Sequence, residues 1–230
     1  MILSGIVKSS LIDYPGKIAT VLFVPGCNYN CFYCHNRALI EDMDEVLDKD
    51  ELYDFLNRRK GLIDAVVLTG GEPTLHTELA EFFASIKTLG YLTKIDTNGS
   101  NPLLIKQLID AAVLDYVAVD YKAPTYKYKD ICGDHADPSL VLETIRILNA
   151  SNVAFEVRTT VIPQLSLEDL ITMAQELPKV PRYVLNPYRK PLQYLKIHQA
   201  LIDEAPYSEK QIAEFAEVLK LYQSNVVLLF

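Results

Sequence analysis

Long apolar runs, basic runs, internal repeats and low-complexity stretches are all absent from this 230-residue sequence. Its apolar runs, such as 65–68 and 226–230, have the length of a strand, whereas a membrane span needs about 18 apolar residues or more. The first residues do not place a long apolar segment after a basic one, so we expect no signal peptide. These absences predict a cytoplasmic protein that does not enter a membrane.

Basic residues are also in deficit. The chain has 22 Lys and Arg against 30 Asp and Glu, which gives a net charge of −8. Non-specific binding of nucleic acids depends on neutralising phosphates with basic side chains. We therefore expect a small molecule or another protein as the partner, and no nucleic acid.

Cysteine is scarce and unevenly distributed. The chain has four cysteines, and Cys27, Cys31 and Cys34 fall within one stretch of eight residues. Thiols stay reduced in the cytoplasm, so this clustering indicates metal ligands rather than disulfides. The fourth, Cys132, is interpreted as an ordinary free cysteine on a loop.

Apolar strand-like segments alternate with helix-like segments along the chain. The predicted strands are 19–24, 65–68, 92–96, 116–120, 154–161 and 182–186. The predicted helices are about 48–59, 77–90, 102–112, 138–149, 166–177 and 208–223. Apolar strands that alternate with helices are typical of a parallel sheet covered by helices.

Six such units predict an α/β fold, a partial (β/α)6 barrel, because a full (β/α)8 barrel usually needs about 250 residues. We expect a single domain, with an N-terminal hairpin or strand extension at 1–18, a barrel core at 19–190, and a C-terminal helix and strand at 191–230. Ligands bind at the carboxyl ends of parallel strands. Polar segments follow most of the predicted strands, so we expect them to meet on one rim.

The cysteine loop, Cys27-Asn28-Tyr29-Asn30-Cys31-Phe32-Tyr33-Cys34, has the spacing C-x3-C-x2-C. Short spacings and thiolate ligands suit a [4Fe–4S] cluster. Three local cysteines leave one iron without a protein ligand, where a cofactor can coordinate. The alternative is a structural zinc site that adds His35, but adjacent Cys34 and His35 are awkward ligands for one tetrahedron.

These residues carry a resemblance to a known family. The loop, with Tyr33 as its aromatic residue, together with Gly70-Gly71-Glu72-Pro73, resembles the radical S-adenosylmethionine (radical SAM) superfamily. The segments 10–17, 25–27 and 34–36 are similar to the anaerobic ribonucleoside-triphosphate reductase activating proteins, a group of glycyl-radical enzyme activases.

The resemblance implies an oxidoreductase with a [4Fe–4S] cluster and S-adenosylmethionine as cofactors. Such an enzyme cleaves S-adenosylmethionine reductively to a 5′-deoxyadenosyl radical, which abstracts a hydrogen atom. The implied partners are an anaerobic ribonucleoside-triphosphate reductase or another glycyl-radical enzyme, which supplies the glycine, and a flavodoxin- or ferredoxin-like electron donor.

The resemblance also implies roles for single residues. Those assigned to cofactor binding are Tyr33, Gly70, Gly71, Glu72, Pro73, Asp96, Thr97, Asp120, Arg158 and Arg189. The GGEP motif would meet the methionine amino group, with Glu72 as the acceptor. Asp96, Thr97 and Asp120 would hold a monovalent cation. Lys122 is assigned with the three cysteines to catalysis, and would pair with the methionine carboxylate or lie on the substrate side.

Other interpretations of these residues stay open. Asp96 is equally suited to a turn, and Arg158 to an ion pair with Glu156, which shares its face of the strand. Arg189 stands where a related activase type has a histidine, so an adenine contact there is doubtful. His198, a lone histidine, is expected to be exposed.

Two further functions also remain open. One is a radical SAM enzyme that rearranges a small molecule such as a deazapurine precursor. The other is a zinc-binding interaction module. The absence of a second cysteine cluster disfavours enzymes with auxiliary clusters.

Overall fold

The computed structural model describes residues 1–41 and 46–229, and its strands form one open sheet of eight strands. In chain order these are β1 Gly5–Ser10, β2 Ala19–Val24, β3 Ala65–Gly70, β4 Leu92–Thr97, β5 Tyr116–Asp120, β6 Ala154–Val161, β7 Tyr183–Pro187 and β8 Val226–Leu228. The spatial order follows the chain order. β1 pairs with β2 antiparallel, and each later pair is parallel.

Helices connect successive strands. They are α1 Ala38–Glu41, α2 Lys49–Arg58, α3 Leu79–Thr88, α4 Pro102–Asp110, α5 Tyr128–Cys132, α6 Pro138–Asn149, α7 Leu167–Glu176, α8 Gln199–Asp203 and α9 Glu209–Leu219. Short 3-10 turns lie at Pro73–Leu75, Thr125–Lys127 and Lys196–His198. None of the helices in these described residues is long and apolar enough to span a membrane.

The sequence signals for helix ends agree with the structure. The Asp48 carboxylate accepts the backbone N–H of Glu51 at the start of α2, and Ser208 and Gln211 form a reciprocal capping box at the start of α9. Gly90, just after α3, has a φ of 93°, a left-handed value that glycine adopts without strain.

All six predicted barrel strands are present, so the prediction of a partial barrel is confirmed. The N-terminal extension forms a hairpin with β2, and its turn is closed by a hydrogen bond from Lys17 N–H to the Tyr14 carbonyl of 3.2 Å. The sequence analysis did not anticipate that the C-terminal strand β8 continues the same sheet beside β7. It also did not predict α5 or α8, whose five residues each are too few for a helical periodicity.

The central strands are buried on both faces. Val66, Val67 and Leu68 of β3 have no exposed surface, although neighbouring residues point to opposite sides of the sheet. Helices therefore cover the outer face, and side chains from the sheet fill the inner face. This arrangement directs the carboxyl ends of the parallel strands to one rim.

Candidate active site

A cavity of about 230 Å³ lies at this rim, between the loop that follows β2 and the carboxyl ends of β3–β6. Most of the residues that the sequence analysis assigned to a site line it. They are Cys27, Cys31, Tyr33, Cys34, Gly70, Gly71, Asp96, Thr97, Asp120, Lys122 and Arg158. Glu72, Pro73 and Arg189 are not among the lining residues.

The backbone of the cysteine loop is hydrogen-bonded to α5. The N–H groups of Asn30 and Phe32 donate to the carbonyls of Cys132 and Ile131, at 2.8 and 3.3 Å. These carbonyls belong to the last turn of α5 and have no acceptor role within the helix. The short helix therefore fixes the backbone that presents Cys31.

Cys132 does not lie on a loop, as the sequence analysis expected. It is the last residue of α5 and is fully buried. The neighbouring Cys132 thiol lowers the pKa of Cys31 against the effect of burial. The position was missed because a five-residue helix gives no sequence signal.

The other two cysteines of the loop, Cys27 and Cys34, are half-buried in the cavity wall. Burial is the main cause that raises the pKa of Cys27 to about 12 and also raises that of Cys34. The backbone N–H of Tyr29 donates to the Cys27 sulfur at 3.4 Å. Thiols in such a site become thiolates when a cation binds them, and N–H···S bonds are typical of cluster-ligating sulfurs.

The Gly70-Gly71 turn is clamped against the cysteine loop. A Cβ atom at Gly71 would lie 1.8 Å from the Gly26 carbonyl oxygen, so only glycine fits there. The N–H of Glu72 donates to that same oxygen at 2.7 Å, and the Asn36 side chain donates to the Gly70 carbonyl at 2.9 Å. Both Gly70 and Gly71 line the cavity, where without side chains they present their backbone.

Glu72 lies behind the cavity wall, where its side chain is fully buried. One oxygen accepts from the Thr97 hydroxyl at 2.7 Å and from Thr74, and the other accepts the Asn98 N–H at 2.7 Å. Burial raises its pKa, and these donors offset only part of that effect. Glu72 is not among the residues that line the cavity, and its contact with the methionine amino group stays a prediction. Pro73 opens the 3-10 turn next to it.

A network of charged side chains forms the opposite wall. The Arg158 guanidinium bridges two carboxylates, with Nη1 3.0 Å from Asp96 Oδ2 and Nε 3.0 Å from Asp120 Oδ1. Lys122 Nζ lies 3.0 Å from the other oxygen of Asp120, and the buried Lys94 pairs with Asp96. Three cations thus face two carboxylates, which leaves an excess of positive charge.

The pKa values of this wall reflect its pairing. Burial alone would raise the pKa of Asp120, but Lys122 and Arg158 outweigh it and lower that pKa to about 2. Burial would lower the pKa of Lys122, but Asp120 and other neighbours raise it well above its ordinary value. Both groups are therefore charged, and the wall suits an anionic ligand group such as a carboxylate.

The monovalent-cation site stays a prediction, and the residues assigned to it have other partners in this structure. The oxygens of Asp96 and Asp120 already face side-chain cations, and the Thr97 hydroxyl donates to Glu72. The alternative partner for Arg158, Glu156, pairs instead with Arg182 at 2.9 Å. Sequence spacing does not reveal the bridge by Arg158, because this residue lies on β6 whereas Asp96 and Asp120 lie on β4 and β5.

Residues 1–41 and 46–229 contain no group of three or more His, Cys, Asp and Glu side chains arranged to hold one metal ion. Zinc needs its ligands to converge on one ion, as the Cys3His alternative requires. In a [4Fe–4S] cluster each cysteine binds a different iron, so its ligands do not converge. The three lining thiols and the buried Tyr33 hydroxyl, which has no partner among the described residues, fit a cluster with a ligand beside it.

Two residues beyond β7 differ from expectation. Arg189 is exposed and lies outside the lining residues of the cavity. His198 is half-buried rather than exposed, and its ring centroid lies 6.0 Å from that of Phe32. This contact comes from the path of the chain after β7, which no local pattern predicts.

Asn98 and Lys94 are site residues that the sequence analysis did not assign. Asn98 lines the cavity, and its amide group donates to Asn28 at 2.8 Å and approaches the Cys27 sulfur at 3.9 Å. It directly follows β4, and this position was an available signal. Lys94 lies two residues before Asp96, so it shares the inner face of that strand.

Comparison with known proteins identifies the family of the chain. The Radical SAM superfamily model matches residues 21–177. The chain therefore belongs to the Radical SAM superfamily.

Within that superfamily, the chain is similar to proteins named for the activation of glycyl-radical enzymes. It is 34% identical over 236 residues to one "putative glycyl-radical enzyme activating enzyme" of Methanocaldococcus jannaschii, covering 99% of this chain and 95% of that protein. A second protein of that name and organism is 28% identical over 226 residues, covering 94% and 82%.

The crystal structure of Streptococcus suis SuiB bound to S-adenosylmethionine shares the fold, with a TM-score of 0.69 and 16% identity. The match covers 91% of this chain and 52% of SuiB, so this chain spans about half of that structure's length. The superfamily implies a [4Fe–4S] cluster and S-adenosylmethionine as cofactors.

Proposed function

We propose that this protein is a glycyl-radical enzyme activating enzyme. It would cleave S-adenosylmethionine and abstract a hydrogen atom from a glycine of an anaerobic ribonucleoside-triphosphate reductase. The observation that carries the proposal is the cavity in which Cys27, Cys31 and Cys34 face the glycine turn and the charged wall. The similarity over nearly the whole chain to proteins named as activating enzymes supports the activase role.

Each wall of the cavity has a part in this function. Cys27, Cys31 and Cys34 would hold the [4Fe–4S] cluster, which supplies the electron for reductive cleavage of S-adenosylmethionine. The excess positive charge around Lys122 and Arg158 would bind the methionine carboxylate. The backbone at the Gly70-Gly71 turn would accept hydrogen bonds from the methionine amino group, and Glu72 would keep that turn in place.

The first test separates the predicted ligands from the fourth cysteine. We expect Cys31→Ala to lose bound iron and sulfide after anaerobic reconstitution, and to form no 5′-deoxyadenosine with dithionite. The comparison variant is Cys132→Ser, which keeps a small polar donor beside Cys31 at a buried position that does not line the cavity, and it should retain iron, sulfide and cleavage. A Cys31→Ala protein that cleaves S-adenosylmethionine at the wild-type rate would contradict the assignment.

The second test addresses the hydrogen donor. The reconstituted protein is mixed with an anaerobic ribonucleoside-triphosphate reductase, S-adenosylmethionine and either dithionite or reduced flavodoxin. We expect the doublet of a glycyl radical in the electron paramagnetic resonance spectrum. A reductase variant with the radical glycine changed to alanine is the control. Cleavage of S-adenosylmethionine without that doublet would reject the activase role and leave the radical SAM chemistry intact.

A further inference from the structure

The segment 188–198, here called the strap, differs in charge from the rest of the chain. It reads Tyr-Arg-Lys-Pro-Leu-Gln-Tyr-Leu-Lys-Ile-His and contains three basic and no acidic residues, in a chain of net charge −8. It leaves the carboxyl end of β7 and ends in the 3-10 turn Lys196–His198. A local positive segment on an acidic protein is a site for an acidic partner.

Both ends of the strap are attached to the cysteine loop. The ring of Tyr188 lies perpendicular to that of Tyr33, with centroids 6.3 Å apart. The ring of His198 lies 6.0 Å from that of Phe32. Phe32 and Tyr33 stand between two of the proposed cluster ligands, and Tyr33 lines the cavity. The strap is therefore positioned beside the site at which chemistry would occur.

Between these two attachments the strap presents side chains to solvent. Leu192 is fully exposed and Ile197 is 84% exposed. Arg189, Lys190 and Lys196 are exposed too, and none of them forms an ion pair with the part of the chain that the structure describes. Exposed apolar anchors surrounded by unpaired charges are typical of a surface that becomes buried against another protein.

We infer that the strap is the docking surface for the protein substrate, and that this substrate offers an acidic surface with apolar contacts beside its target glycine. The inference rests on the proposed function. A protein substrate must reach the cavity while its surface rests on this chain, and the strap combines the required position, charge and apolar side chains. Leu192 and Ile197 would provide contact area, and the three basic residues would provide attraction and register.

The test uses two double variants of the reconstituted enzyme. The strap variant is Leu192→Ser with Lys196→Glu. The matched control is Leu62→Ser with Lys60→Glu, which also removes an exposed leucine and reverses an exposed lysine. These control residues precede β3 and so lie at the opposite end of the sheet. The probe is an anaerobic ribonucleoside-triphosphate reductase, and dithionite is the reductant.

We expect the strap variant to form 5′-deoxyadenosine without the reductase at the wild-type rate. The concentration of reductase that gives half of the maximal glycyl-radical signal should rise about tenfold or more. The control variant should behave as wild type. Raising the salt concentration should weaken the binding of the reductase to the wild type more than to the strap variant, because salt screens the attraction between exposed charges.

Different outcomes identify different errors. If the wild type cleaves S-adenosylmethionine but gives no glycyl radical, the proposed function fails first. If the wild type gives the radical and the strap variant needs the same reductase concentration, the strap proposal is overturned. A strap variant that is impaired only when flavodoxin replaces dithionite would assign the strap to the electron donor, which also overturns the proposal.

Discussion

Two carboxylates stand on opposite sides of the cavity, Glu72 fully buried and Asp120 half-buried, and they are stabilised in different ways. Glu72 forms no ion pair within residues 1–41 and 46–229, and it accepts hydrogen bonds from Thr74, Thr97 and Asn98. Asp120 lies between Lys122 and Arg158, each 3.0 Å away. Accordingly, the pKa of Glu72 is raised by burial, whereas that of Asp120 is lowered by its cations despite burial.

The difference indicates two separate tasks. Glu72 ties the turn after β3 to the residues after β4, so it determines the shape of the wall near the cysteines. Asp120 and Asp96 hold Arg158 and Lys122 in position, so they determine the charge that the cavity presents. Loss of either carboxylate should therefore affect ligand binding, but with different effects on stability.

The largest effect is expected from Arg158→Met. Removing the guanidinium leaves the buried Asp96 and the half-buried Asp120 with one cation each, so the free energy of unfolding should fall by about 3 kcal/mol. The measurement is anaerobic urea unfolding of the reconstituted protein. The matched control is Arg146→Met, whose 3.6 Å pair with Glu143 is exposed, and it should change stability by about 0.5 kcal/mol or less. Equal losses in the two variants would contradict the role of Arg158.

A smaller loss is expected from Glu72→Gln. The amide keeps the shape of the side chain, but one of its two ends becomes a donor that faces another donor. We expect the free energy of unfolding to fall by about 1–2 kcal/mol. The affinity for S-adenosylmethionine should also fall, because the glycine turn is displaced. Equilibrium binding and urea unfolding measure the two effects. The control is Glu143→Gln, at an exposed position. A Glu72→Gln protein that keeps its stability but binds S-adenosylmethionine more weakly would instead favour direct contact between Glu72 and the cofactor.

The sequence predicts the wall formed by the cysteine loop much better than the charged wall around Arg158. Cys27, Cys31 and Cys34 are close in the chain, so their spacing alone indicates a cluster. The meeting of the carboxyl ends of β3–β6 at one rim can be predicted from the alternation of strands and helices. The pairing of Arg158 with Asp96 and Asp120 depends on strand register and side-chain direction, which sequence spacing does not fix. The monovalent-cation site assigned to Asp96, Thr97 and Asp120 stays a prediction.

The two carboxylates should also respond to pH with opposite signs. Asp120 has a pKa of about 2 when folded against an ordinary value of 3.8, so its contribution to stability is complete above pH 3.8 and is lost as the pH falls towards 2. Glu72 has a raised pKa, so its contribution becomes less favourable as the pH rises through that value. Urea midpoints of the metal-free protein across acidic pH test this. Asp120→Asn should reduce the loss of stability between pH 3.8 and pH 2, and Glu72→Gln should not.

The smallest effect concerns monovalent cations, for which we expect no requirement. Arg158 already bridges Asp96 and Asp120, and the surplus positive charge from Lys94 and Lys122 repels a further cation. Replacing sodium and potassium with tetramethylammonium at constant ionic strength should change the rate of 5′-deoxyadenosine formation by less than about twofold. Tetramethylammonium is too large and too weak a partner for carboxylate oxygens to replace a bound metal ion. Loss of activity that potassium or sodium alone restores would show that the charged wall opens to admit a metal when the cofactor binds.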